Sequence, residues 1–270
     1  MEQELHQFIQ TVKQFYSENE RSFPWRKTTD PYAIMVSEFM LQQTQTDRVV
    51  PKYQTFMKSF PTIKSLAKAS QSKVVSYWSG LGYNRRALYL HRTANEVLSR
   101  FNGTIPRDIH SLESLPGIGP YTAAAISTFA FNQPHVFIET NIRTVFIHHF
   151  FKDAENISDN DLKPFIEKTI DNANPRDWYY ALMDYGSYLK KILPNPSRKS
   201  KHHVKQSKFE GSTRQIRGAI LKELLQTNTT DQNTLAVYEQ FSEEMVVHAL
   251  QSLENEGFIT TDKNTVSLKK

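Results

Sequence analysis

The sequence predicts an all-α protein in two parts. A large helical domain covers residues 1–193, and a small winged-helix-like module of helices and a β-hairpin covers 212–270, with a basic linker at 194–211. Three observations predict this. Apolar residues recur at three- and four-residue spacing through most of the first part, the period of a helix buried on one face. Glycine pairs at Gly80/Gly82 and Gly117/Gly119 interrupt that period, where neither helix nor strand continues. At Pro194 the composition turns to Pro, Ser and Lys (Arg198, Lys199, Lys201, Lys205, Lys208), and periodicity returns only after Gly211.

Leu5, Phe8, Ile9, Val12 and Phe15 set an opening helix over 4–18, which Phe23-Pro24-Trp25-Arg26 breaks. Asp30 as N-cap and Pro31 as the first helical residue start the next, running to about Gln45. Glu38 lies inside it, with Ile34 and Leu41 placing its carboxylate along an apolar strip. Val49, Val50, Tyr53 and Phe56 mark a helix over 48–59, and short helices follow at 62–69 and 71–79. The turn Gly80-Leu81-Gly82-Tyr83 leads into a basic helix from Asn84 to Gly103.

A short helix over 111–115 precedes Leu-Pro-Gly-Ile-Gly-Pro-Tyr-Thr at 115–122, a tight hairpin opening onto a helix over 121–131. Unpaired N–H groups and the positive dipole end make that helix start an anion site suited to phosphate; the plain alternative is an ordinary helix–helix turn. Val136-Phe137-Ile138 reads as a brief extended run, and helices follow at 142–151, 158–172 and 175–191. In the module, Ile216, Ile220 and Leu224 mark one helix, Leu235 and Tyr238 a second, and Met245 to Leu253 a third. Two β-like runs flank Asp262-Lys263-Asn264.

With 33 Lys and Arg against 28 Asp and Glu, the net charge is +5 and the pI about 9.2, which suits nucleic-acid binding. The absence of cysteine excludes disulfides, thiolate metal sites and cysteine nucleophiles. No apolar run approaches the roughly 20 residues that span a bilayer, and the opening Met-Glu-Gln-Glu-Leu-His does not read as a signal peptide. The expected setting is the cytoplasm, on the nucleoid, without membrane contact. The adjacent pairs His148-His149 and His202-His203 face apart on a helix, so no side-chain metal site is expected.

Two acids stand out. Burial beside apolar residues would raise the pKa of Glu38 and suit it to a general acid. Glu139, just before a helix start, has its charged form favoured by N–H donors and the dipole. Two carboxylates in opposed environments can split a glycosidic bond, one protonating the leaving group and the other stabilising the sugar cation. The plain alternative for each is a surface or capping acid. Tyr121, on the first helical turn after the hairpin, packs in the core or lines a site mouth. Leu81 and Tyr83, beside Arg85 and Arg86, form a buried turn or an apolar wedge flanked by phosphate-binding cations. Gln42, Gln43 and Gln45 end a helix, either reading base edges or simply solvated.

In order and spacing, Phe-Pro-Trp-Arg at 23–26, Asp-Pro-Tyr at 30–32, Val-Ser-Glu-Phe-Met-Leu-Gln-Gln-Thr-Gln at 36–45, Trp-Ser-Gly-Leu-Gly-Tyr at 78–83 and the 115–122 hairpin resemble the MutY-type adenine DNA glycosylases of the helix-hairpin-helix superfamily. The resemblance covers about residues 5–192. It implies a two-lobed glycosylase fold, with one lobe at about 30–131 and the other from 1–29 and 132–193. It also implies duplex DNA with a mismatched or damaged base as partner, a flipped base, and a monomer. Glu38 matches the acid that protonates adenine, and Asn141 an active-site asparagine. Arg26, with Trp25 and Asp184, falls in the base pocket. Tyr121 stands where bifunctional relatives carry a lyase lysine, which implies a monofunctional enzyme. Gln43, Leu81 and Tyr83 match the duplex-entering region, with Arg85, Arg86, Gly117, Ile118 and Gly119 as further DNA-binding positions. Hairpin carbonyls could hold a cation.

Three departures accompany the resemblance. Glu139 stands where the family carries Asp, which moves the carboxylate by about one C–C bond, ~1.5 Å. The four cysteines of an iron–sulfur cluster are replaced by Pro-Asn-Pro-Ser-Arg-Lys-Ser-Lys at 194–201, so no cluster is expected and basic residues stand in its place. The family's larger C-terminal domain, which checks for 8-oxoguanine, is replaced by the small module. The expected activity is removal of adenine opposite 8-oxoguanine or guanine. The alternatives are thymine or uracil opposite guanine, or a non-catalytic DNA-binding protein.

Overall fold

The structure, a computed structural model, describes residues 2–204 and 208–269. Its helices are α1 (Glu2–Asn19), α2 (Pro31–Leu41), α3 (Thr46–Ser59), α4 (Ile63–Ala67), α5 (Gln71–Trp78), α6 (Arg85–Phe101), α7 (Ile109–Glu113), α8 (Pro120–Phe131), α9 (Thr140–Phe150), α10 (Asp159–Thr169), α11 (Pro175–Ile192), α12 (Thr213–Thr227) and α13 (Glu243–Asn255). The strands are β1 (Thr229–Asp231), β2 (Ile259–Asp262) and β3 (Thr265–Leu268). Among the described residues no helix is long and apolar enough to cross a membrane.

The chain divides into two units. The first comprises Met1–Met35, Pro106–Ser114 and Ile118–Lys205. Its core is aromatic: Phe8 sets its ring edge-on against Trp178 at 6.1 Å, and Phe137 stacks on Tyr179 at 3.9 Å. Phe129 of α8 lies flat on Tyr180 of α11, centroids 4.5 Å apart, and Ala124, Ala125 and Phe129 join this cluster. That packing places α7 and α8 here, rather than with the helices of 36–105 as the two-lobe expectation had it. At its edge, Ile157 N donates to Lys199 O and Lys201 N to Ile157 O, both at 2.9 Å, forming a parallel bridge with Ser200. The start of the supposed linker is therefore a 3-10 turn (Pro196–Lys199) with Pro196 and Ser197 buried. Proline and serine there serve a docked turn, where composition suggested a free arm. Lys205 lies outside the described residues.

The second unit comprises Val36–Ile105, Leu115–Gly117 and Gln206–Lys270. Phe39, Met40, Phe56, Leu66, Trp78 and Leu90 are buried in it. Helix α2 begins as expected, with Asp30 Oδ1 accepting from Tyr32 N at 3.1 Å. It stops at Leu41 instead of about Gln45, because Gln43 adopts φ +53, a left-handed backbone no helix contains.

The C-terminal residues share this unit. Gln71 Nε2 donates to Gly257 O at 2.6 Å, and Arg85 of α6 pairs with Glu256 at 2.6 Å. Helices α12 and α13 pack through Ile216, Ile220, Leu224, Val246 and Leu253 onto an antiparallel sheet of order β1-β3-β2, with Thr229 opposite Ser267 and Ile259 opposite Leu268. The helix expected at Leu235 and Tyr238 is instead two 3-10 turns, Gln232–Thr234 and Ala236–Glu239. Asn228, at φ +63, ends α12, and the next three residues are drawn into the sheet as a third strand.

Candidate active site

Helix α2 is buried from Tyr32 to Met40 on every side, not along one strip, and Glu38 at 7% exposure is the charged residue in that run. A carboxylate so placed is costly to bury unless it is hydrogen-bonded or paired.

Beyond α2, two non-glycine residues, Gln43 (φ +53) and Tyr83 (φ +46), hold left-handed backbone in two loops of the second unit. Such strain persists only where surroundings impose it, and Arg86 imposes it here. Its Nη1 donates to Phe39 O and Met40 O at 2.9 Å and to Gln42 O at 2.5 Å; its Nη2 donates to Thr44 Oγ1 and Gly82 O at 3.0 Å. These acceptors include the α2 carbonyls that have no partner within the helix. Burial lowers the guanidinium pKa to about 10. Arg86 therefore ties the two loops together and is not a phosphate ligand, which corrects the sequence expectation. Leu81, 2% exposed, lies in the core and is not an outward wedge. Arg85, expected on DNA, is held by Glu256. Tyr83 remains at the surface of this unit, with Arg86 and Arg214 guanidinium carbons 5.6 and 5.7 Å from its ring centre.

The hairpin has the expected backbone. Gly117 takes φ +76, and a Cβ there would stand 2.6 Å from Tyr89 Cβ, so only glycine fits. Thr93 Oγ1 donates to Pro116 O at 2.7 Å and pins the turn. Ile118 is buried, so its side chain anchors the loop and only its backbone can face a ligand. Gly119 is the N-cap of α8 with nothing within 4 Å of a Cβ built on it, which leaves that helix start open to close approach.

In the first unit, Glu139 is the N-cap of α9. Its Oε1 accepts from Asn141 N at 2.7 Å and Ile142 N at 2.9 Å, and its Oε2 accepts from Asn141 Nδ2 at 3.1 Å. Asn141 Oδ1 is left buried without a hydrogen-bond partner. Tyr121 is half-buried and meets Phe137 edge-on at 5.7 Å. The expected base-pocket trio behaves otherwise: Asp184, 2% exposed, accepts from Arg26 Nη1 and Nη2 at 2.8 Å and from Arg21 Nε at 2.7 Å. Arg26 lies over Tyr180 at 4.4 Å, and Trp25 stacks on Phe23 at 5.1 Å. This is a saturated buried ion pair, with its charges spent on the fold.

Sequence reasoning missed Gly186 and Lys190. A Cβ on Gly186 would stand 2.2 Å from Asn141 O. Lys190, four residues on and so on the same helix face, is half-buried; burial pulls its pKa below the ordinary lysine value while the Glu139 charge pulls it up. The spacing 186/190 on α11 was the available signal.

The residues at 194–201 offer no thiolate, and two serines and a proline of that turn are buried in a backbone-bonded 3-10 turn. They do not fit an iron–sulfur cluster. Among the described residues no three His, Asp or Glu side chains converge as a metal site.

Residues 36–168 match the family of HhH-GPD superfamily base excision DNA repair proteins. An adenine DNA glycosylase of Buchnera aphidicola is 35% identical over 187 residues, covering 67% of this chain and 52% of that protein. The rat adenine DNA glycosylase is 34% identical over 192 residues, with 67% and 37% covered. A thymine/uracil-DNA glycosylase of Methanothermobacter thermautotrophicus is 29% identical over 185 residues, with 67% and 84% covered. The chain thus spans about half or less of those adenine glycosylases. Among solved structures, a thermostable thymine-DNA glycosylase superposes with TM-score 0.62 at 27% identity, over 69% of this chain and 87% of that one. A non-covalent endonuclease III–DNA complex superposes with TM-score 0.60 at 16% identity, over 70% and 86%, a likeness of fold.

Proposed function

We propose, from the match of residues 36–168 to the HhH-GPD superfamily of base excision DNA repair proteins, that the chain is a monofunctional DNA glycosylase of that superfamily. It flips adenine opposite 8-oxoguanine or guanine out of duplex DNA, as a monomer in the cytoplasm, and hydrolyses the N-glycosidic bond. The observation that carries this reading is Glu38, a carboxylate 7% exposed on a buried, mostly apolar helix, within the stretch that matches the superfamily.

In this reading Glu38 gives its proton to the adenine ring as the C1′–N9 bond breaks. Glu139, held by N–H donors, stabilises the positive charge left on the sugar, and water adds at C1′. Asn141 orients Glu139 through its amide. Tyr121 offers a phenol where a lyase would need an amine, so no Schiff base forms there. The hairpin backbone at Gly117–Gly119 grips phosphate, and Gln43 and Tyr83 enter the duplex beside the flipped base.

The test is single-turnover excision on duplexes carrying A opposite 8-oxoguanine, A opposite G, T opposite G and U opposite G, with alkali revealing abasic sites. Excision of adenine by the wild type, lost in Glu38→Gln, is the expected result; no release from any duplex overturns the reading. A second reading, removal of thymine or uracil opposite guanine, is favoured by the archaeal thymine/uracil relative, of which this chain covers 84%. Release of T or U alone would select it.

A further inference from the structure

In the first unit, a buried acceptor without a donor and a half-buried cation without a partner lie on the same crevice, where α9 meets α11. Asn141 turns its amide nitrogen to Glu139 Oε2, 3.1 Å away, which directs its oxygen to the other side. That Oδ1 is buried and accepts no hydrogen bond among the described residues. Flipping the amide gives no relief, since it would set Oδ1 against the carboxylate, which only accepts. A buried acceptor left bare loses its hydration uncompensated, so the site calls for a donor.

Lys190 is placed to supply it. A Cβ on Gly186 would stand 2.8 Å from Asn141 Cβ, so the Asn141 side chain starts against that face of α11. Lys190 follows four residues on, about 6 Å along the axis on the same face. Helical side chains lean towards the N-terminus of their helix, so the four-carbon stem of Lys190 runs back towards Gly186. The ammonium lies within electrostatic reach of Glu139 and Arg21; burial opposes its charge and Glu139 favours it. It makes no hydrogen bond or ion pair among the described residues. Arg21 cannot stand in, because its guanidinium is held by Asp184 at 2.7 Å and Ser187 Oγ at 3.2 Å.

We propose that Lys190 is a positioning residue for the glycosylase site: its ammonium donates to Asn141 Oδ1, so that Asn141 Nδ2 stays on Glu139 Oε2 and the carboxylate keeps its orientation. A donor chain then runs from Lys190 on α11 through the Asn141 amide to the N-cap of α9. A cationic donor on Oδ1 polarises the amide and strengthens the bond from Nδ2. The family match ends at residue 168 and assigns nothing to α11. The proposal rests on the reading of Glu139 as the carboxylate that stabilises the sugar cation.

The first measurement needs no substrate. In the isotope-labelled full chain, the side-chain amide of Asn141 is identified in NMR spectra by its loss in Asn141→Asp. Its hydrogens should exchange with solvent about tenfold faster in Lys190→Met than in the wild type. Lys190→Arg, which keeps the charge and the donors, should restore most of the protection. Methionine matches the lysine stem and removes a charge that burial disfavours, so the urea midpoint should not fall; Lys190→Gln serves if Lys190→Met does not fold. Single-turnover excision should drop about tenfold in Lys190→Met at unchanged duplex affinity. Added to Asn141→Asp, the same substitution should cost nothing further, since the two act in one chain. If the wild type releases no base from any duplex, the proposed function fails, and the exchange rates still decide the Lys190 contact. Unchanged exchange in Lys190→Met overturns the proposal and leaves water as the donor. So does an additive loss in the double variant, or a fall in rate matched by an equal fall in duplex affinity, which would make Lys190 a phosphate ligand.

Discussion

The backbone of Gly186 lies so close to Asn141 that a Cβ at residue 186 would stand 2.2 Å from the Asn141 carbonyl oxygen and 2.7 Å from its carbon. Helices α9 and α11 therefore meet with no side chain between them, and the position of Asn141, and through its amide that of Glu139, depends on that approach. Gly186→Ala must push the helices apart. A loss of about 3 kcal/mol of stability is expected from such overpacking, together with a fall in excision beyond what the stability loss explains. Urea unfolding beside single-turnover excision measures both.

Asp184→Asn separates two roles for the Arg26–Asp184 pair. Both side chains are buried, at 6% and 1% exposure, and the substitution would leave Arg26 charged without a counter-ion. Removing one partner of a buried pair costs about 3–5 kcal/mol. Denaturant titration should show that loss. A variant of unchanged stability but lost activity would instead return Asp184 to the base pocket.

These contrasts show what the sequence carried. Helix α2 was legible because Asp30-Pro31 and its apolar spacing are local signals. Its end was not, since left-handed Gln43 is imposed by Arg86, more than 40 residues away, reaching three carbonyls around it. A basic pair after a glycine turn reads as surface, yet one arginine is buried and the other pairs with Glu256, 171 residues on. Asp184, too, was placed in the family's pocket, where residue identity alone cannot distinguish a ligand from a saturated ion pair. Glu139 was legible as a cap: a carboxylate just before a helix start is an N-cap by local geometry, as found.

The cap, together with the catalytic charge proposed for Glu139, sets a third prediction. Glu139→Gln keeps an oxygen for the Asn141 and Ile142 N–H groups, so stability should change by less than about 1 kcal/mol. The negative charge is gone, and excision should fall by at least about a hundredfold. Glu139→Ala loses cap and charge together and should cost about 1 kcal/mol more. Equal stability in the two variants would mean the cap hydrogen bonds contribute nothing.

Acid should weaken the fold in two pH windows, one set by histidines and one by carboxylates. In the first, His149 donates to or accepts from the Tyr185 hydroxyl at 3.1 Å and packs against Phe8 at 5.0 Å. Burial, with His148 and Lys152 adding, lowers its pKa to about 4 from the usual 6.5. The fold thus prefers neutral imidazole: this stability is complete above pH 6.5 and is lost as pH falls from 6.5 towards 4. In the second unit, Glu256 is held at about 2 against an ordinary 4.5. Its contribution is complete above 4.5 and is lost as pH falls from 4.5 towards 2. Urea midpoints followed by pH should decline in both windows. His149→Gln should lessen the decline between 6.5 and 4 and leave that below 4.5 unchanged, and Glu256→Gln should do the reverse, since other lowered histidines and carboxylates share each window. If each substitution flattened both windows, the windows would not titrate independently and these two groups would not be the ones responsible.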